Sequence, residues 1–175
     1  MEILDGKKVS ENIKTQIKQK IENEYKEKQV PCLACVLIGD NPASKVYVSS
    51  KEKACARVGF ESVIKLLPEN TTTEDAINVI EELNSDDKVS GILLQLPLPK
   101  GLDEHKIINH ILPEKDVDGL TELSLGKLFS GKNIIAPCTA TGIIHILDNY
   151  NIELTGKNVV VIDVICSAPC RSRLG

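Results

Sequence analysis

Val9, Ile13, Ile17, Ile21 and Tyr25 recur every four residues between charged positions, the stripe of an amphipathic helix that ends near Pro31. Cys32 to Ile38 is then an unbroken apolar run closed by Gly39-Asp40-Asn41-Pro42, which predicts a buried strand and a turn. A second helix is expected from Ser44 to Val58, stopped by Gly59, and a second strand from Phe60 to Leu67. Thr73-Glu74-Asp75 places carboxylates in the first turn of a third helix, with Ala76, Ile77, Val79, Ile80 and Leu83 on its apolar face. Val89 to Leu96 reads as the third strand, and Pro97 and Pro99, which lack a donor N–H, force a loop after it. A short helix over Asp103 to Ile111, a turn over Pro113 to Gly119, a helix over Thr139 to Tyr150 and a last strand over Asn158 to Ile162 complete the pattern. The stretch between that turn and Pro137 shows no clear period.

Strands and helices that alternate in this way predict an α/β fold, a mainly parallel sheet with helices on both faces. The polar segment Asn149 to Gly156 precedes a fresh apolar strand, so the expected division is a domain over residues 1–150 and the start of a second over 151–175.

Composition narrows the partners. The net charge is -4 with lysines scattered among acidic residues, so no basic stripe points to nucleic acid or to an anionic membrane. No apolar run approaches a membrane span, and the charged N-terminal stretch is not built as a signal peptide. A cytoplasmic protein with small-molecule partners is expected. Its six cysteines then read as reduced thiols, mostly small core residues, not as a disulfide framework.

In open α/β sheets ligands gather beyond the carboxyl ends of the strands, and three groups of side chains stand in such segments. Tyr47 and Lys51 are four apart and share a helix face, with Val48 and Cys55 flanking it. A lysine with apolar neighbours loses its proton more easily and is an acid/base candidate, although lysines on amphipathic helices usually sit at the solvent edge. Gln95 ends an apolar strand where its amide could bond a lysine or a ligand, or only cap the strand. Asp116 and Asp118 lie between Pro113 and Gly119; a carboxylate on a rigid turn can take two N–H bonds from a planar ring, or instead bond its own backbone.

Taken together, Asp40-Asn41-Pro42-Ala43-Ser44, Tyr47-Val48-Ser49-Ser50-Lys51, Gly91 to Pro99 and Lys115-Asp116-Val117-Asp118-Gly119 resemble the methylenetetrahydrofolate dehydrogenase/methenyltetrahydrofolate cyclohydrolase family in content, order and spacing. Leu4-Asp5-Gly6-Lys7 and Pro137-Cys138-Thr139 fit as well. The resemblance implies that Lys51 is the catalytic lysine, Gln95 the glutamine that orients it and modulates its charge, Tyr47 the aromatic that packs on the folate and Asp118 the carboxylate that anchors the pterin. It also implies tetrahydrofolate derivatives as ligands, a homodimer, and NADP as hydride acceptor when 5,10-methylenetetrahydrofolate is oxidised. The methenyl product is then hydrolysed to 10-formyltetrahydrofolate, with Lys51 as general acid/base.

The agreement stops after Val159 to Ile162. Where the family continues with Gly-Arg-Ser and a glycine-containing turn, this chain reads Asp163-Val164-Ile165-Cys166-Ser167, so no intact nucleotide-binding residues are expected in what reads as a truncated Rossmann-type start. Ala140 replaces a proline usual in the family. Two function classes follow: a folate-processing enzyme, its dehydrogenase step lost with that loop, or an inactive folate-binding or misfolding-prone fragment of one. Gly126 to Lys132 approximates a phosphate loop but has Asn133 in place of a hydroxyl and no preceding strand. Cys32-x2-Cys35 opens a strand instead of a helix, so a core role is expected, and His105, His110 and His145 form no metal-ligand pattern with the cysteines.

Overall fold

Short polar side chains start the helices by taking backbone N–H groups that a first turn leaves unpaired. Asp5 accepts from the Lys7 and Lys8 N–H groups and opens α1 (Gly6–Glu24). Asn41 does the same for α2 (Pro42–Val58), which has Pro42 in its first turn and ends on Gly59 at φ 85°. Thr72 and Asp75 form a reciprocal capping box at the start of α3 (Thr73–Ser85). The structure, a computed structural model, describes residues 3–132 and 135–160.

β1 (Cys32–Ile38), β2 (Glu61–Leu67) and β3 (Gly91–Leu94) pair in parallel in the order β2-β1-β3. Alternation along β1 divides the core. Ala34, Val36 and Ile38 pack with Ala76, Ile77, Ile80 and Leu83 of α3, with Ile92 and Leu94, and with Ile107 of α4 (Glu104–Ile108). Cys35 and Leu37 face the other way, against Val48 of α2 and Leu93. The sheet is therefore parallel and carries helices on both faces, as the pattern predicts.

The differences are local. The third strand is shorter than the expected Val89 to Leu96, because the Val89 N–H turns back onto the Asp86 carbonyl, although the Gln95 N–H still bonds Val36 across the ladder. The helix expected to reach Ile111 ends at Ile108, where Asn109 caps it. α5 (Glu122–Phe129), which the apolar period does not reveal, starts on Thr121, whose hydroxyl accepts the Ser124 N–H. Gly126 lies inside α5, so the near phosphate loop is a helix and its C-terminal turn. In α1 only Val9 of the stripe is buried, because α1 packs mainly on α2 and on α6 (Cys138–Asn149). Asn158 to Val160 form no strand. The rest of the expected last strand and the divergent residues 163–175 lie outside the described residues. Among the described residues no helix is long and apolar enough to cross a membrane.

Candidate functional site

Among the described strands β3 is outermost, flanked on its far side only by the bridge of Ile92 to Asp116, and α2 packs over β1 and β2. The sheet face over β3 is thus left open on the α2 side, and a recess of about 530 Å³ lies there, lined by Lys51, Leu33, Leu93, Val117, Asp118 and Cys138 among others. It runs down the sheet face as far as Pro31, Cys32 and Ser90, at the amino ends of the strands. The expectation of a site confined beyond the carboxyl ends is corrected to that extent, since the uncovered face of β3 offers the space.

Lys51 sits one helical turn after Tyr47 on α2. Its Nζ donates to Gln95 Oε1 at 3.0 Å, so two residues 44 apart in sequence meet. The Gln95 amide is not free to turn over, because its Nε2 donates to the Leu96 carbonyl at 2.6 Å and leaves the oxygen facing the lysine. Gln95 is buried and Lys51 half-buried. The partner is a neutral amide, so the bond orients the lysine without forming an ion pair. Tyr47 is 63% exposed, and neither Tyr47 nor Gln95 is among the residues lining the recess; Gln95 reaches it only through its bond to Lys51.

Asp116 and Asp118, alternatives in the sequence, take different parts. Asp116 is 2% exposed and accepts the N–H groups of Gly119 at 2.8 Å, Leu120 at 3.3 Å and Thr121 at 2.9 Å. Burial pushes its carboxyl up, but the Thr121 N–H, the Ser124 and Thr121 hydroxyls and the Leu120 N–H outweigh burial and hold it below the usual carboxylate range. Asp118 instead lines the recess. The turn needs two glycines for close approach. A Cβ on Gly91 would collide with Val117 Cγ1, and one on Gly119, at φ 65°, would lie 2.5 Å from the Ile135 carbonyl oxygen.

Cys138, at the start of α6, belongs to the Pro137-Cys138-Thr139 run but is not among the site residues that the sequence indicates. Its thiol donates to Asp118 Oδ1 and to the Val117 carbonyl, both at 3.6 Å. Burial first, and the Asp118 charge after it, push that thiol up. Cys32, Cys35, Cys55 and Cys138 are free thiols, and among the described residues no cluster of His, Cys, Asp or Glu could hold a metal ion. His105 pairs with Glu122 at 2.8 Å on the surface.

The pattern of the family described as tetrahydrofolate dehydrogenase/cyclohydrolase, catalytic domain, matches residues 4–118. The bifunctional protein FolD of Acetivibrio thermocellus is 48% identical over 160 residues, which cover 91% of this chain and 56% of that protein. The crystal structure of bifunctional FolD from Campylobacter jejuni superposes with a TM-score of 0.85 at 42% identity, over 87% of this chain and 54% of that one. The Trypanosoma brucei methylenetetrahydrofolate dehydrogenase-cyclohydrolase, solved with NADP and an inhibitor, gives a TM-score of 0.83 at 32% identity, over 89% and 54%. The chain spans little more than half the length of the curated relatives it matches. With residues 4–118 matched and the fold shared, the chain belongs to the tetrahydrofolate dehydrogenase/cyclohydrolase family.

Proposed function

We propose that this chain supplies the folate-binding, proton-transferring side of a methylenetetrahydrofolate dehydrogenase/methenyltetrahydrofolate cyclohydrolase site. The observation that carries the reading is the bond from Lys51 Nζ to Gln95 Oε1 at 3.0 Å, at a recess that Lys51 shares with Asp118. In this reading Asp118 accepts N–H bonds from the pterin, Tyr47 packs on the folate from the rim, and residues 1–150 form the folate domain. Residues 151–175 belong to the nucleotide-binding part.

Hydrolysis of the methenyl cation needs a proton acceptor as water attacks the bridging carbon and a proton donor as the bond to N5 breaks. Lys51 takes the first proton from water and returns it to N5. The hydroxyl proton of the intermediate leaves as the carbonyl forms, which balances the conversion of a cation and water into a neutral formyl product and one proton. Gln95 holds the amine toward the recess throughout.

NADP is the hydride acceptor that this reading implies. The described turn from β1 into α2 does not fit its pyrophosphate: Asn41 already occupies the Ala43 and Ser44 N–H groups, and Pro42 has none. That turn therefore serves the folate side.

A second reading, folate binding without turnover, is favoured by the exposed apolar side chains Leu123, Phe129, Ile143 and Ile144 of α5 and α6, which need cover. Hydrolysis of 5,10-methenyltetrahydrofolate by the 175-residue protein, followed alongside binding of 5-formyltetrahydrofolate, separates the two. Turnover that Lys51→Met abolishes supports the first reading. Binding without turnover supports the second, and no binding at all contradicts both.

A further inference from the structure

We propose that Asp116 is a positioning residue for the recess: its buried carboxylate holds the turn that presents Asp118, and its influence on ligand binding passes through Asp118. The inference rests on the reading of Asp118 as the folate-binding carboxylate.

The turn from Lys115 to Thr121 is tied down at almost every residue. The Lys115 carbonyl accepts the Ile92 N–H at 2.7 Å, so the segment runs beside β3. The Lys115 ammonium donates to the carbonyls of Leu83 at 3.1 Å, Asn84 at 2.8 Å and Asp86 at 2.8 Å, which caps the end of α3. Val117 packs on Gly91. Asp116 then binds three successive N–H groups, those of Gly119, Leu120 and Thr121, and so closes the turn directly after Asp118. What remains for Asp118 is to face the recess.

Only a carboxylate serves all three donors. An amide at position 116 keeps one acceptor oxygen and points an NH2 group either at Gly119 and Leu120 or at Thr121. The bonds that stop the turn from moving are then lost on one side, while the size of the side chain is unchanged. The Thr121 hydroxyl, which donates its proton to Ser124 Oγ at 2.8 Å, extends the same network into the first turn of α5.

The test compares the full 175-residue protein with Asp116→Asn, Asp118→Ala and the double variant, by two measurements. The first needs no ligand. Cys138 donates to Asp118 and to the Val117 carbonyl, so its alkylation by iodoacetamide, followed by peptide mass spectrometry, reports where the turn sits. Asp116→Asn and Asp118→Ala should each speed it several-fold, and the double variant should be no faster than Asp118→Ala. The buried Cys35 should stay as slow as in the parent. The second is affinity for 5-formyltetrahydrofolate, which Asp116→Asn should weaken about tenfold in the parent and not at all in the Asp118→Ala background.

An unchanged Cys138 rate in Asp116→Asn, a parallel rise at Cys35, or a further loss of affinity in the Asp118→Ala background overturns the proposal. If Asp116→Asn does not fold, Ser124→Ala, which removes the acceptor of the Thr121 hydroxyl and so loosens the residue whose N–H closes the turn on Asp116, should raise the Cys138 rate in the same direction, and no rise overturns it. A protein that binds no folate while Asp116→Asn still frees Cys138 contradicts the folate reading and leaves the positioning intact.

Discussion

Lys51 Nζ and Gln95 Oε1 lie 3.0 Å apart, and the Leu96 carbonyl holds the other end of the Gln95 amide. The lysine therefore meets an oxygen and cannot meet the NH2 group without breaking a second bond. Because that oxygen carries no full charge, the pair orients the lysine without forming an ion pair.

Gln95→Glu tests this. A carboxylate in the same place binds the ammonium more strongly and raises the lysine's affinity for its proton. The rate of 5,10-methenyltetrahydrofolate hydrolysis should fall by about a hundredfold, with little change in affinity for 5-formyltetrahydrofolate. An unchanged rate contradicts the role given to the amide.

The core makes a separate prediction. Ile80 of α3 is 0% exposed and packs against Val36 and Ile92 under the sheet. Ile80→Ala should lower stability by about 2–5 kcal/mol, whereas Ile143→Ala on the exposed face of α6 should stay within about 0.5 kcal/mol. Urea midpoints measured by circular dichroism check both, and equal losses would contradict the placement of the core.

Gly91 has a steric role that its place in a strand conceals. Gly91→Ala puts a Cβ into Val117 Cγ1, and since a β-branched side chain cannot swing aside freely, it should cost about 1–3 kcal/mol. Adding Val117→Ala should recover part of that loss. If the double variant is no more stable than Gly91→Ala, the clash is not the cause.

These features divide what the chain discloses from what it conceals. The parallel sheet and the helices of its two faces were legible because β1 is continuously apolar and α3 repeats at helical spacing. Short motifs single out Lys51, Gln95 and Asp118 as candidates, and the bond from Lys51 to Gln95 follows from where α2 and the end of β3 lie. α5 was not legible, because Leu123, Leu125, Leu128 and Phe129 are exposed and no buried face imposes a period on the sequence. The residues themselves do not say which aspartate faces the recess, since both fit an Asx turn; only the family resemblance singles out Asp118, and the fold makes the choice through the close approaches of Gly91 and Gly119. Cys138 came to the recess through the packing of α6, which leaves no local trace.

Asp116 also sets an acid limit. Its folded pKa lies below the ordinary 3.8, so the stabilisation is complete above the unfolded value and is lost as pH falls through the folded one. Stability of the parent should drop more steeply below that range than stability of Asp116→Asn, which is weaker at neutral pH but has no proton to take up there. Urea midpoints from neutral pH downward check this, and parallel curves for the two proteins contradict it.

The central claim is that Lys51, Gln95 and Asp118 face one folate site. A titration of the nitrogen-15-labelled 175-residue protein with 5-formyltetrahydrofolate, followed by two-dimensional NMR, tests it most directly. The account predicts that the Gln95 side-chain amide and the backbone amides around Lys51 and from Val117 to Gly119 shift together at one affinity, and that Asp118→Ala weakens all of them. Shifts confined to the far side of the sheet around α3 and α4, or none at saturating ligand, would contradict it.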